Sequence, residues 1–243
     1  MSTHQLIVVG VAIFVAAFMQ VVAGFGFALL SMPIMTLAVP VRQAIVVSTL
    51  LGMISTTWQA WHLRDDADVP LVKRYTLAAF LGMPIGLVAL NVVSDRSLRL
   101  VLGGAVIIAT ILLISRINLR EVGRWFDLVI GFVSGILNTS LSTNGPPLVF
   151  GLQARHLDAP RFRATISTIF AYSNIVGITL FALNGKITAD GLKASAIAMP
   201  SWVIGQAIGW PVRKKFHGER FRTLVLALLF VAGTSTLLYA LFK

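Results

Sequence analysis

Between Gln5 and Leu37 the chain carries no charged side chain, and the middle of that stretch is interrupted by Ala23-Gly24-Phe25-Gly26-Phe27. An unbroken helix over those roughly 33 residues would run ~50 Å, well beyond the ~30 Å hydrocarbon core of a bilayer. A second overlong apolar run, 126–152, is broken in a related way by the polar segment from Ile136 to Pro147 (ILNTSLSTNGPP). The remaining apolar runs, near 43–61, 75–93, 98–115, 162–183, 191–211 and 222–242, have the ~20-residue length of single membrane spans. Overlong apolar segments, broken by glycine and proline and placed correspondingly in two halves, are the pattern of a secondary-transporter binding site.

Spaced landmarks carry the same duplication. Pro40 and Pro160 each precede a helix, Gly82 and Gly86 correspond to Gly205 and Gly209, and Leu98-Arg99 corresponds to Phe221-Arg222. The expected units are residues 1–120 and 121–243.

Basic residues decide how the broken runs cross. If each crossed the membrane once, the 20 Lys and Arg would divide 9 to 11, with almost no bias. If each enters and returns to its own side, only Arg42, Arg96, Arg99, Lys186, Lys193 and Lys243 share one side, 6 against 14, which the positive-inside rule favours. Arms of about 16 residues reach only ~24 Å, and the turns hold no charge to sit in water, so re-entrant hairpins fit better than pairs of full spans. The expected fold is an all-α integral membrane protein with two inverted repeats, each a broken or re-entrant helical hairpin plus three transmembrane helices. An odd number of crossings per half inverts the repeats and puts both termini on the same, outer, side.

Composition agrees. Apolar residues make up 57% of the 243 and charged residues 12%, about half the charge of a soluble domain. The +11 net charge is scattered through short loops, which speaks against nucleic-acid binding. Cysteine is absent, which removes disulfides and thiolate metal sites. The segment before Arg42 has no Lys or Arg, unlike a cleaved signal peptide.

The broken segments carry the candidate chemistry. A returning half-helix points unpaired N–H groups and the positive end of its dipole into the membrane, which favours an anion. Ser142, Thr143 and Asn144 are capping residues, Gly145 permits a tight turn, and Pro146 suits a first helical turn. Asn138, Thr139 and Ser140 add neutral hydrogen-bonding groups on the entering arm. The first hairpin is barer: Gly24 and Gly26 expose backbone, with Gln20 and Ser31 flanking them. Ser and Thr on the following spans read mostly as interhelical packing, with Gln59, Tyr172 and Asn174 as cavity candidates. All nine acidic residues lie in loops or at helix ends, so no intramembrane proton relay is evident. Asp127 comes nearest, and a role at a helix N-terminus suits it. With no HExxH, paired carboxylates or nucleophile–base pair, the chain is not expected to be an enzyme, and no cofactor or metal is expected.

On the run Ala23–Phe27 followed by Pro33, and on Gly135–Pro147, the chain resembles the TauE/SafE-type sulfite exporter family of membrane permeases, over essentially its whole length. The resemblance implies bacterial inner-membrane carriers of sulfur-containing and organic anions, and it carries Gly24, Gly26, Asn144, Gly145 and Pro146 over as motif positions. Family members have fuller glycine clusters where this chain has Phe27-Ala28 and Thr143-Asn144. The expected function is a secondary transporter, in the direction of export, of a small sulfur-containing or organic anion such as sulfite or an organosulfonate. The alternatives are an anion channel or a non-transporting membrane scaffold. The expected partners are the substrate anion and the lipid bilayer. Which anion, which coupling ion and which oligomeric state stay open.

Overall fold

The computed structural model describes residues 2–115, 123–153, 155, 157–212 and 219–242. Among them the chain is helical, with ten α-helices and no strand. The first broken run becomes α1 (Thr3–Ala23) and α2 (Phe27–Thr36). Then follow α3 (Val41–Leu63), a single 3-10 turn at Arg64–Asp66, α4 (Val69–Val92) and α5 (Asp95–Ser115). The second half opens with α6 (Arg124–Leu141) and α7 (Gly145–Gln153), followed by α8 (Ala159–Leu183), α9 (Ala189–Val212) and α10 (Glu219–Phe242). The six unbroken helices hold 21 to 25 residues, ~32–38 Å, enough to span a bilayer.

Local chemistry sets the starts. Ser2 and Gln5 form a reciprocal capping box at α1, and Asp68 and Asp158 accept from the backbone N–H groups of Leu71 and Arg161 at α4 and α8. Pro70 and Pro160 occupy first-turn positions, where a missing N–H removes no helical bond.

Both broken runs fold back on themselves. Gln5 Nε2, at the start of α1, donates to the Ala38 carbonyl just beyond α2 over 2.9 Å. Arg155, just beyond α7, bonds to Asp127 in the first turn of α6 at 2.6 Å. The arms are unequal where the sequence suggested ~16 residues each: 21 and 10 in the first hairpin, 18 and 9 in the second. The residues able to adopt a left-handed backbone, Gly24 and Ser142, lie about two-thirds along each run, and the helix stops there.

The hairpins enter from opposite ends of the bundle. The base of the first adjoins Pro40, where α3 begins. The base of the second adjoins Arg74 near the start of α4, which the 3-10 turn joins to the end of α3. The principal packing pairs are α1 on α9, α6 on α4, α3 on α8 and α5 on α10. Exchanging α1–α5 for α6–α10 turns each pair into another of the four or into itself. The expected boundary at 120/121 lies outside the described residues, as do the side chains of Phe221 and Arg222.

Small residues let backbones touch in the two outer pairs. A Cβ at Gly82 or Gly86 of α4 would come within 2.1 or 2.2 Å of the Phe132 or Ile136 carbonyl of α6. One at Gly205 of α9 would come within 2.7 Å of the Phe14 carbonyl of α1. Between membrane helices, where hydrophobic driving force is lost, such close approach supplies the contact energy. Elsewhere apolar side chains face outward: Leu77, Leu81, Ile85, Val88 and Val92 run down one side of α4 at 50–76% exposure. A stripe of that size is a lipid-facing surface. Three helices, at Thr3–Val22, Val69–Val92 and Ala159–Leu183, are individually long and apolar enough to cross a membrane, and the whole is an integral membrane protein of the all-α class.

Candidate functional site

The two breaks have the same backbone design. Gly24 ends α1 in the left-handed region (φ 84°), its N–H donating to the Gln20 carbonyl. Ser142 ends α6 likewise (φ 58°), its N–H donating to the Asn138 carbonyl. Gln20 and Asn138 therefore occupy the same place, one turn before the break, 118 positions apart as are Gly24 and Ser142. Ser142 is the only non-glycine residue with positive φ among those described. It pays a steric penalty there, and a 2.9 Å hydrogen bond between its hydroxyl and Thr49 of α3 helps hold it.

The tips enclose a small cavity of about 30 Å³, room for about two waters. Helix α3 presents Ser48, Gly52 and Thr56, one turn apart and centred on its midpoint, and α8 presents Phe170 and Asn174 on either side of its own. From the first hairpin come Gln20 and the stretch Gly26–Leu29, and from the second Ser142, Asn144 and Gly145. No lining residue is ionisable.

The two returning helices offer different donors. Helix α2 starts at Gly26 (φ 100°) with no side-chain cap, so the N–H groups of its first turn have no partner within the helix. Helix α7 opens Gly145-Pro146-Pro147, and prolines have no N–H to give. The second tip compensates with side chains. Asn144 is 6% exposed, its carbonyl accepts from Ser134 at 3.2 Å, and its Nδ2 has no protein partner.

Of the residues singled out from sequence, Gly26, Ser142, Asn144, Gly145 and Asn174 line this cavity together. Gly24 forms the turn beside it, packed against the stem of Arg163 in α8. Asn174 Nδ2 donates to Thr56 at 3.4 Å. Asn138 is buried next door, donating to the Ser173 carbonyl at 3.0 Å. Ser140 bonds within its own helix to the Ile136 carbonyl, and Thr143 is fully buried with its hydroxyl unpartnered. Gln59 accepts from Ser167 at 3.1 Å, roughly a turn beyond Thr56. Tyr172 lies elsewhere: its side chain, 51% exposed, faces an apolar groove among α3, α4 and α8 with Trp61 and Leu77.

Gln20 is the residue sequence reading passed over. It is 1% exposed, lines the cavity, and neither side-chain polar atom has a hydrogen-bond partner in the protein. The signal was present: it is an amide in the last turn of an apolar helix, four residues before the break, as Asn138 is in the other half.

The base of the second hairpin holds a buried ionic cluster. Asp127, with no exposure, accepts from Tyr75 at 2.8 Å, Arg155 at 2.6 Å and Arg74 at 3.3 Å. Burial works against the charge of Arg155, but the hydrogen bond and charge of Asp127 outweigh it and raise its pKa. The helix-terminal role expected for Asp127 is thus extended: it ties α6, α4 and the segment after α7 together. No cluster of metal-ligating side chains occurs among the described residues.

Two broken hairpins entering from opposite ends and closing on an uncharged polar cavity define an all-α membrane protein built around an internal site. The Sulfite exporter TauE/SafE family model matches residues 9–236, and the chain belongs to that family. No curated protein and no solved structure matches it.

Proposed function

We propose that this chain is a multi-pass secondary transporter of the bacterial inner membrane, moving a small sulfur-containing or organic anion, such as sulfite or an organosulfonate, in the direction of export. The observation that carries the reading is the cavity between the tips: it is lined by the uncapped start of α2 and by the buried, unpartnered amides of Gln20 and Asn144, and by no carboxylate. Amide and backbone N–H groups in a low-dielectric setting favour negative charge. Membership of a sulfite exporter family supports the anion class.

Transport proceeds by alternating access between inverted halves, 1–120 and 121–243, each hairpin gating the site from its own side. The exchangeable packing pairs support this division. The cavity of about 30 Å³ is lined from both tips, so moving the tips apart on one side or the other would admit or release the substrate. Both termini lie on the periplasmic side, where 6 of the 20 basic residues fall. Because the chain has no cysteine, single introduced cysteines would report that topology by impermeant labelling.

The decisive experiment is counterflow and charge movement in proteoliposomes with sulfite, thiosulfate, sulfoacetate, taurine and carboxylates, comparing wild type with Asn144→Leu. Saturable exchange of one anion, lost in a folded Asn144→Leu protein, is the expected result. Flux without saturation or counterflow would instead identify a channel, and silence across the panel would overturn transport of this anion class.

A further inference from the structure

The hydrogen-bonding capacity left over in the cavity is lopsided in an informative way. Most of its polar side chains are paired within the protein: Ser48 with Ser31 at 3.0 Å, Ser142 with Thr49 at 2.9 Å, and Thr56 with the Gly52 carbonyl at 2.7 Å as well as with Asn174. What remains is Asn144 Nδ2 and both ends of the Gln20 amide. A buried polar group without a partner is costly enough that native structures rarely leave one. The pattern at Gln20 does not depend on which way round its amide is placed, since one donor and one acceptor lack partners in either orientation.

A bare oxyanion satisfies donors only. The Gln20 carbonyl would face it with two lone pairs and repel it. Resting on the transport reading above, we propose that the species bound between the tips is a monoanion that still carries an O–H, such as hydrogensulfite, with the Gln20 carbonyl accepting its proton. The charged oxygens of that ligand take the Gln20 and Asn144 amide N–H groups and the first N–H groups of α2. The fully ionised dianion, and sulfonates that bear no O–H, are rejected by the same carbonyl. This narrows the substrate class and makes the ligand itself the proton carrier: each monoanion moved takes one proton with it.

Nothing else near Gln20 supplies a titration among the described residues. Helices α2 and α7 carry no charge. In α3 the charged or titratable groups are Arg42 and His62 at its two ends, and in α8 they are Arg161 and Arg163 at its start and the exposed Tyr172. Arg163 packs against Gly24. In α9, Asp190 and Lys193 lie in and next to its first turn, far from Gly209, which packs beside Val21. His4 lies at the far end of α1.

The test is flux of labelled sulfite into proteoliposomes at fixed total concentration across pH 6 to 8.5, with methanesulfonate as the matched monoanion lacking an O–H, for wild type and Gln20→Met. The expected result is that sulfite flux follows the hydrogensulfite fraction, methanesulfonate neither crosses nor competes, and Gln20→Met loses on the order of tenfold or more. Methanesulfonate carried as well as sulfite, or flux rising with the dianion, would overturn the proton-bearing ligand and leave transport intact. No flux of either anion, beside saturable counterflow of another member of the panel, would overturn the proton-bearing sulfite ligand and leave transport intact, whereas silence across the whole panel would overturn both. Should Gln20→Met fail to fold, the wild-type comparison of the two anions decides alone.

Discussion

The two hairpins share a backbone plan and differ at their bases. The first is closed by Gln5 donating to the Ala38 carbonyl and by Arg99 of α5 donating to the Thr36 carbonyl at the end of α2, over an apolar packing that includes Val9, Met35 and Val39. The second is closed by Asp127 with two arginines and a tyrosine, and its long arm is pressed onto α4 by glycines on both helices. The tips differ in the opposite sense: glycine and free backbone in the first, side chains in the second. One hairpin is thus fastened at its base by a buried carboxylate and presents side chains at its tip, while the other is fastened by donors to backbone carbonyls and has a bare tip.

The largest expected effect lies at the ionic base. Asp127→Ala leaves Arg74 and Arg155 without their buried partner and should cost ~3–5 kcal/mol, measured as unfolding in graded denaturing detergent. Little or no loss would remove the contrast between the hairpins. Next comes the helix contact. At Gly135 a Cβ would lie 1.9 Å from the Ala79 carbonyl, whereas at Gly209 the nearest atom is Val21 Cβ at 3.1 Å. Gly135→Ala is expected to cost ~3 kcal/mol and Gly209→Ala no more than ~1 kcal/mol, read in the same assay. Equal losses would mean that the two arms are held alike.

A smaller effect is expected at the first base. Gln5→Leu removes both the bond to the Ala38 carbonyl and the Gln5 half of the α1 capping box and should cost ~1–2 kcal/mol, while raising the rate at which a probe on α2 becomes accessible to labelling. The smallest concerns the tips. Ser142→Gly relieves a left-handed serine, worth ~1–2 kcal/mol, and loses the Thr49 bond, worth about 1 kcal/mol, so stability should barely change. Gly24→Ala meets both a positive φ and the Arg163 stem at 2.8 Å and should destabilise clearly. A Ser142→Gly protein as damaged as Gly24→Ala would show that the serine side chain, not the turn geometry, is what the second tip requires.

Much of this architecture was legible before any coordinates. Apolar run length and the two broken segments suffice to read an all-α membrane protein whose two overlong runs each fold as a broken hairpin, because bilayer thickness and the need to satisfy every backbone polar group leave few other solutions. The breaks at Gly24 and near Asn144 follow from residue types that tolerate a left-handed backbone or cap a helix. Those constraints act along the chain, so one dimension records them.

Contacts across the chain were not recorded that way. Nothing local distinguishes Ser31 and Ser48, which satisfy each other, from Gln20, which satisfies nobody; the difference arises only when α1, α3 and the second hairpin converge. Tyr172 and Asn174 looked equivalent in sequence, yet a rotation of ~200° between residues two apart on a helix turns one to the outer groove and the other to the cavity. Asp127 read as a helix-terminal acid, and only folding brought Tyr75, Arg74 and Arg155 around it. The chain alone determined which segments are long and apolar enough for a membrane and where they break. The tertiary structure decided which polar groups are left without a partner, because that depends on what every other helix brings to the same place.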